Sequence, residues 1–410
     1  MPSQTPDIIF VNRFFWPDHS ATAQILSDVA QHLVQSDFRV RVITSRMLYS
    51  DLSQVLKKTE NWEGVNVSRV WTTRFGRSNL LGRALDYLTF YASAFFSVLR
   101  HAKRQSIVVS KTDPPLIGVP VGFAARLKGA KRGNWFQDVY PEIAEAYGLK
   151  LVWPLVNILR WCRNRSIRKA AINVAIGDRM AAFLQTDAKP SRPIDVIHNF
   201  SDDDAVQPNA KGVEELRAAW GFDPEDFVVG YSGNLGRAHD TDTILEAAEL
   251  LRDQPRIKFL FVGGGQQRVF VEEAAANRAL RNIVFRAYQP RDQLAASLGV
   301  PDLHWISLKQ EFEGLIVPSK LYGIAAVGRP VLMIGSRDGE IGRLISKFSF
   351  GVTVAAGETR QLASEIMRFA HAPQRGKDMG ARARGFLDAT SSKGAAMERW
   401  RNVFTEPDRA

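Results

Sequence analysis

Residues 311–323, EFEGLIVPSKLYG, gather more chemistry-bearing side chains than any other stretch of this sequence. Glu313, beside Gly314 and Leu315, offers a carboxylate that can accept hydrogen bonds from sugar hydroxyls. Ser319 and Lys320, near a helix start after Pro318, offer a hydroxyl and an ammonium that can hold a diphosphate. A capped surface helix would account for Pro-Ser-Lys, but not for the whole constellation. Gly233, Asn234, Leu235, Gly236 and Arg237 follow an apolar run. Their glycines permit a tight turn, and Arg237 can hold a phosphate through paired hydrogen bonds. An ordinary turn with a solvated arginine fits the same residues. Gly263, Gly264 and Gly265 also close an apolar run and allow close backbone approach. They do not form the G-x-G-x-x-G dinucleotide fingerprint.

In the first half, residues 15–23 (FWPDHSATA) follow an apolar run and open a helical pattern. Small Ser20, Ala21 and Thr22 would let backbone N–H groups approach an anion there; a plain strand-to-helix turn reads the same way. Asp138, in QDVYPE after Asn134-Trp135-Phe136, is either a cleft carboxylate or a loop acid that caps. Asp202-Asp203-Asp204 mimics a metal-binding D-x-D pair, but it falls in a polar stretch between the halves and reads as solvated linker. The seven histidines include no H-x-x-x-H pair, so no metal site is expected.

The elements that would position these residues alternate along the chain. Residues 8–11, 40–44 and 107–109 read as strands, with a helical pattern over 25–34. Residues 227–231, 258–262, 283–285, 303–306, 331–334 and 352–354 read as a second strand set. A helix over 241–252 follows the first of these, capped by Asp240 or Thr241. Strand, helix, strand repeated in this way predicts two parallel-sheet α/β domains, joined near 200–210. Ligands of such sheets bind beyond the carboxyl ends of the strands. A last helix near 391–404 is expected to pack back on the first domain.

Composition narrows the class. The chain has 410 residues, 45% hydrophobic and 24% charged, which suits two globular domains and excludes disorder and collagen. Cys162 stands alone, so no internal disulfide and no multi-cysteine zinc site can form. No signal peptide is expected from MPSQTPDIIFVNRFF, and a cytoplasmic location fits. Residues 87–99 form an apolar run of thirteen, too short to span a bilayer and suited to a buried or interfacial helix. Residues 1–200 carry 27 Lys/Arg against 15 Asp/Glu, whereas the remainder is nearly neutral. Residues 147–177 hold no acid at all, but carry Arg160, Arg163 and Arg165 among Trp153, Ile158 and Trp161. That reads as a membrane-surface helix, with Arg100, Lys103 and Arg104 on the same face, or equally as a core helix with a solvated basic side. No nucleic-acid recognition motif accompanies the charge, so no nucleic-acid partner is expected.

Taken in order, FFWPDHSATAQILSDVAQHL, QDVYPE, IHNFSD, YSGNLGRAHDTDTILEAAELL, FLFVGGG and EFEGLIVPSKLYGIAAVGRPV resemble the family 4 retaining glycosyltransferases. These are enzymes of the GT-B type, and the likeness is greatest to exopolysaccharide and O-antigen enzymes of the colanic-acid kind. The resemblance spans residues 8–370. It implies two Rossmann-like, doubly wound α/β domains facing across a cleft. Residues 1–200 would bind the acceptor, 201–385 the sugar nucleotide, and 386–410 would pack back on the first domain. It also implies anomeric retention with no essential metal and no cofactor beyond the sugar nucleotide. Glu313 matches the first Glu of the family's E-x₇-E motif, by the donor sugar. The second Glu, which holds the ribose, is replaced by Gly323, leaving the ribose to the backbone or to an acid such as Glu340. The family's Arg and Lys after the first strand of the second domain fall near Asn234 and His239, so Arg237 and Lys320 stand in as diphosphate ligands.

The reaction implied is glycosyl transfer from a nucleoside diphosphate sugar, UDP before GDP, to a lipid-linked or saccharide acceptor. Arg237, Lys320, the amides of residues 233–236 and the following helix dipole would stabilise the leaving diphosphate. Gly263 and Gly264 would approach the nucleotide, and Glu313 would position the sugar. Same-face attack would give retention, with Asp138 orienting the acceptor or assisting its proton transfer. The acceptor expected is a polyprenyl-diphosphate-linked saccharide at the inner face of the cytoplasmic membrane, contacted peripherally. A nucleotide-sugar 2-epimerase on the same fold, and a catalytically silent sugar-nucleotide-binding subunit, are the rival readings.

Overall fold

The computed structural model describes residues 6–18, 20–49, 54–76, 80–149, 152–201 and 206–405. The readings that touch His19, Lys150, Leu151 and residues 202–204 lie outside these described residues. The chain divides into two compact units, Met1–His198 with Ala396–Ala410, and Asn199–Ala395.

The first unit carries strands β1 (Asp7–Val11), β2 (Arg39–Ser45), β3 (Thr59–Trp62), β4 (Val65–Val70), β5 (Ile107–Lys111), β6 (Lys131–Phe136), β7 (Ile172–Ala175) and β8 (Asp195–Val196). They form one sheet in the order β3-β4-β2-β1-β5-β6-β7-β8. All of its pairs run parallel except β3 with β4. The order reverses beside β1, which pairs with β2 on one side and β5 on the other. Residues 8–11 are all buried, as a central strand covered on both faces requires. Helix Ala21–Gln35 buries Ala23, Leu26, Val29, Ala30 and Leu33, a stripe at helical spacing. Phe90, Ala94 and Val98 of helix Leu80–His101 pack with Val121, Ala124 and Ala125 of helix Gly118–Leu127 over β1 and β5. Helix Lys393–Thr405 brings Trp400 to 4.3 Å from the Trp135 ring and Phe404 to 5.9 Å from Phe10.

The second unit carries β9 (Phe227–Asn234), β10 (Ile257–Gly264), β11 (Ile283–Arg286), β12 (Leu303–Ser307), β13 (Val331–Ile334) and β14 (Gly351–Val354). Their order is β11-β10-β9-β12-β13-β14, all parallel, with the reversal between β9 and β12. Each unit is therefore a doubly wound Rossmann-like sheet.

Several elements differ from expectation. β3, β4, β7 and β8 carry no strong strand signal. β3 (TENW) is a polar edge strand, while β7 and β8 have four and two residues. The apolar run over 87–99 belongs to the longer helix Leu80–His101. Among the described residues no helix is long and apolar enough to cross a membrane. Gly233 and Asn234 lie in β9 rather than in a turn, paired with Gly263 and Gly264 of β10.

Candidate active site

The switch point between β9 and β12 gathers a buried polar chain. Lys320 Nζ donates to the Tyr231 hydroxyl at 2.7 Å and sits 4.3 Å from that ring's centroid. It also lies 3.2 Å from His239 Nε2. His239 Nδ1 is 2.7 Å from the Ser307 carbonyl oxygen. A carbonyl only accepts, so Nδ1 carries the proton and Nε2 accepts from the ammonium. The Tyr231 hydroxyl donates in turn to the Asn234 carbonyl at 2.7 Å. Burial pushes Lys320 down to about 7. Burial, and then the Lys320 charge, push His239 down to about 3, so its imidazole is neutral at pH 7.

The glycine run after β10 serves this arrangement. Gly263 and Gly265 adopt φ of +120° and +121°. A Cβ on Gly263 would stand 2.3 Å from the Gly233 carbonyl oxygen, and one on Gly265 would stand 2.5 Å from the Leu235 nitrogen. Leu235 N–H donates to the Gly264 carbonyl at 2.7 Å, and Gln267 N–H to the Leu235 carbonyl at 3.0 Å. The close approach expected for a ligand at Gly263 is made by the chain's own backbone, which clamps residues 233–236. Tyr288, 60% exposed, lies against Gly263 and Gly264.

Glu313 closes the short 3₁₀ turn Gln310–Phe312, and its Oε2 accepts the Glu340 N–H at 3.2 Å. The carboxylate thus caps helix Glu340–Phe348, where the helix dipole favours negative charge. Glu340 itself is buried. Gly323 packs on Leu298, where an added Cβ would lie 3.2 Å from Cδ1, so the position offers little room for a longer side chain. Ser319 is exposed beside Lys320, Gly314 and Leu315 are buried, and Arg237 is exposed. Thr241 holds the N-cap position without a side-chain bond, and Asp240 accepts the N–H of Thr243, in the helix's first turn, at 3.1 Å.

In the first unit, Lys111 ends β5 and is 1% exposed. Its ammonium donates to the Thr22 carbonyl at 2.7 Å and stacks 4.0 Å from the Trp135 ring centroid. Burial lowers it to about 7, against the pull of Asp113 and Asp138. Burial raises Asp138 to about 7, reinforced by Asp113 and opposed by Lys111. The backbone N–H groups of Gln137 and Asp138 both donate to Thr112 Oγ1, at 3.0 and 3.3 Å. Lys111, Asp138, Tyr140 and Ser166 line a cavity of about 30 Å³, room for one water. The turn before helix Ala21–Gln35 is held by Asp18, which accepts the Ser20 N–H at 2.8 Å. The Ser20 hydroxyl is buried with no partner among the described residues.

Comparison with known proteins decides the class. Residues 20–199 match the model of the glycosyl transferase 4-like domain, and residues 212–386 match that of glycosyl transferases group 1. The chain belongs to the GT-B glycosyltransferases. This glycosyltransferase is 26% identical over 364 residues to the putative colanic acid biosynthesis glycosyl transferase WcaI of Escherichia coli, covering 81% of this chain and 84% of the relative. Sucrose-phosphate synthase from Thermosynechococcus elongatus superposes with a TM-score of 0.78 at 13% identity, covering 98% of each chain. HepE of Anabaena, solved with UDP-glucose, superposes with a TM-score of 0.72 at 15% identity, covering 98% of this chain and 99% of that one.

Two of the three arginines expected on a membrane surface are held in ion pairs instead. Arg163 is not a membrane-surface residue: it is 3% exposed and paired with Glu142 and Asp187. Arg160 is held by Glu142 at 3.0 Å and by Glu145 at 2.5 Å. The acids that neutralise them lie outside the acid-free stretch 147–177, where a local charge scan cannot see them. Of the three, Arg165 alone carries no carboxylate partner among the described residues, and it lies 5.6 Å from the Trp161 ring centroid. Sequence reasoning also missed Lys111, Tyr231 and Tyr288. A lysine ending the apolar strand IVVSK was the available signal for the first; Tyr231 and Tyr288 read as core and loop aromatics.

Proposed function

We propose that this glycosyltransferase transfers a sugar, with retention, from a nucleoside diphosphate sugar to a lipid-linked saccharide during cell-surface polysaccharide synthesis. UDP is the expected nucleotide. The observation that carries the donor assignment is the Lys320–Tyr231–His239 chain at the carboxyl ends of β9 and β12. It presents one half-buried ammonium where charge would develop on a leaving diphosphate. Neutral His239 accepts from that ammonium and orients it without competing for the anion. Tyr288, an exposed aromatic beside Gly264, would stack on a nucleobase. Glu313, fixed by its bond to Glu340, would accept hydrogen bonds from the donor sugar. Arg237, exposed in the same turn, would add a second cation to the diphosphate.

Asp138 would orient the acceptor hydroxyl, and the leaving phosphate oxygen would take its proton on the same face. The reading requires no metal. The polysaccharide assignment draws on the description of WcaI, and the UDP assignment on that of HepE. Peripheral contact with the inner face of the cytoplasmic membrane is supported by Trp153, Ile158 and Trp161, which are 77%, 56% and 57% exposed along helix Trp153–Lys169. Amphipathic aromatic side chains of this kind favour a bilayer interface.

A thermal-shift panel of UDP, GDP, ADP, dTDP and CMP, with and without magnesium, tests the donor. A ligand that binds only the folded state raises the melting temperature with concentration over Kd. A shift with UDP in EDTA, lost in Lys320→Ala, is the expected result. No shift with any nucleotide would remove the donor site. Turnover of UDP-sugar without acceptor would favour the 2-epimerase.

A further inference from the structure

The amino-terminal edge of the first sheet, opposite the strand ends that carry Lys111, holds a pocket of about 320 Å³. Its polar lining comes from the starts of β1, β2 and β4 and the end of helix Leu80–His101. Arg39, Arg41, Arg100, His101 and Lys103 line it, against a single carboxylate, Asp7. Asp7 is already paired with Arg39 at 2.6 Å. Among the described residues, the side chains of Arg100 and Lys103 have no ion-pair partner. Arg41 is fixed by a 2.8 Å bond to Ser68 Oγ. His101 Nδ1 lies 2.9 Å from the Ser97 carbonyl, so its Nε2 is the nitrogen left for a ligand. We propose that this pocket is a second anion site, which binds a phosphate or diphosphate group.

Two physical arguments support it. Like charges gathered around a cavity repel, and an anion relieves that repulsion. The crowding is visible at His101, whose pKa is lowered by burial and further by Arg41 and Arg100. Arg100 and His101 also complement the carbonyl end of their helix and Arg39 is paired with Asp7, but Lys103 and Arg41 add charge beyond what those contacts require. Second, the space exceeds one phosphate group and lies at the lower end of the range of small-ligand pockets, so a phosphate ester fits with part of its substituent. Guanidinium groups bind such oxyanions through paired hydrogen bonds. The site lies away from the carboxyl ends of the strands and does not depend on the donor assignment.

The test is calorimetric titration of the full chain with inorganic pyrophosphate, in a Lys320→Ala background that removes the donor cation. Binding is expected, with affinity reduced about tenfold or more when Arg100→Glu and Lys103→Glu are combined. Both side chains are exposed, so the double variant should keep its fold; an unchanged circular dichroism spectrum checks this. By NMR, pyrophosphate should raise the His101 pKa in the Lys320→Ala parent and not in the double variant. Vesicles of phosphatidylglycerol in phosphatidylcholine distinguish the source of the phosphate. Sedimentation that drops in the double variant assigns a lipid headgroup; pyrophosphate binding with no such drop assigns a free phosphate ester. Absence of pyrophosphate heat together with unchanged sedimentation, or full affinity in the double variant, overturns the site.

Discussion

The Glu313 carboxylate accepts the backbone N–H of Glu340 at 3.2 Å, and the intervening space is kept open by Gly339. A Cβ on Gly339 would stand 2.2 Å from Glu313 Oε1. Gly339 has φ −69° and ψ 172°, a conformation open to alanine. Gly339→Ala should therefore move the end of a flexible side chain without disturbing the fold. Displacing a positioning group by about 1 Å can cost about 100-fold in turnover. We expect kcat for Gly339→Ala to fall on that order, with UDP affinity and melting temperature close to wild type. Steady-state kinetics beside a UDP titration checks this. A matching loss of UDP affinity would move Glu313 from the sugar to the nucleotide.

Lys320 gives nucleotide binding a definite pH dependence. Its folded value near 7 leaves the ammonium charged below that pH and neutral above it. A bound diphosphate stabilises the charged form, so binding above pH 7 must take up a proton. UDP affinity should hold below pH 7 and weaken by up to about tenfold per unit above it. Lys320→Arg carries a charge that does not titrate, so its UDP affinity should be flat from pH 7 to 9. A parallel decline in both proteins would assign the dependence elsewhere.

Much of this was legible in the sequence, for reasons that particular residues show. The second unit's strands carry short, largely apolar runs, closed by glycine in cases such as residues 258–264, and all six can be read locally. β3 and β4 cannot, because Glu60, Asn61, Asn66 and Arg69 interrupt the apolar pattern and only pairing across the edge makes them strands. Lys320 and Glu313 stand out by residue type. Their partners do not, since Tyr231, His239 and Glu340 lie 89, 81 and 27 residues away from them. Arg163 shows the reverse failure: its local sequence is basic, and the carboxylates that bury it are brought in by the fold.

Asp138 predicts a rising limb in the rate profile. Burial holds its carboxyl near 7, so the ionised form appears only above that pH. If the carboxylate assists the acceptor, turnover should rise between pH 6 and 8, giving a bell when combined with Lys320. Asp138→Asn should remove the rising limb and lower turnover by about 10² to 10⁴. The stability effect has the opposite sense. A folded value raised above 3.8 means the unfolded chain releases its proton first, so the native state loses relative stability as pH climbs from 4 through 7. Asp138→Asn escapes that loss and should gain more relative to wild type at pH 8 than at pH 4. Denaturant titrations at the two pH values measure the difference, and equal gains would contradict the buried carboxyl.

Trp400 tests whether the terminal helix is part of the first unit's core. Its ring is 1% exposed, lies 4.3 Å from Trp135 and stacks 5.9 Å from Phe404, which in turn meets Phe10 and Phe38. Trp135 also carries the Lys111 ammonium on its face, so the same contact supports the Lys111–Asp138 cluster. Truncating a buried aromatic of this size costs about 3 to 5 kcal/mol. Trp400→Ala should lose on that order in chemical denaturation. It should also lower turnover through Asp138, while UDP still binds the second unit with near wild-type affinity. Trp400→Phe keeps a ring in the gap and should recover most of both. A loss below about 1 kcal/mol for the alanine variant would mean that the helix adds little to the core it touches.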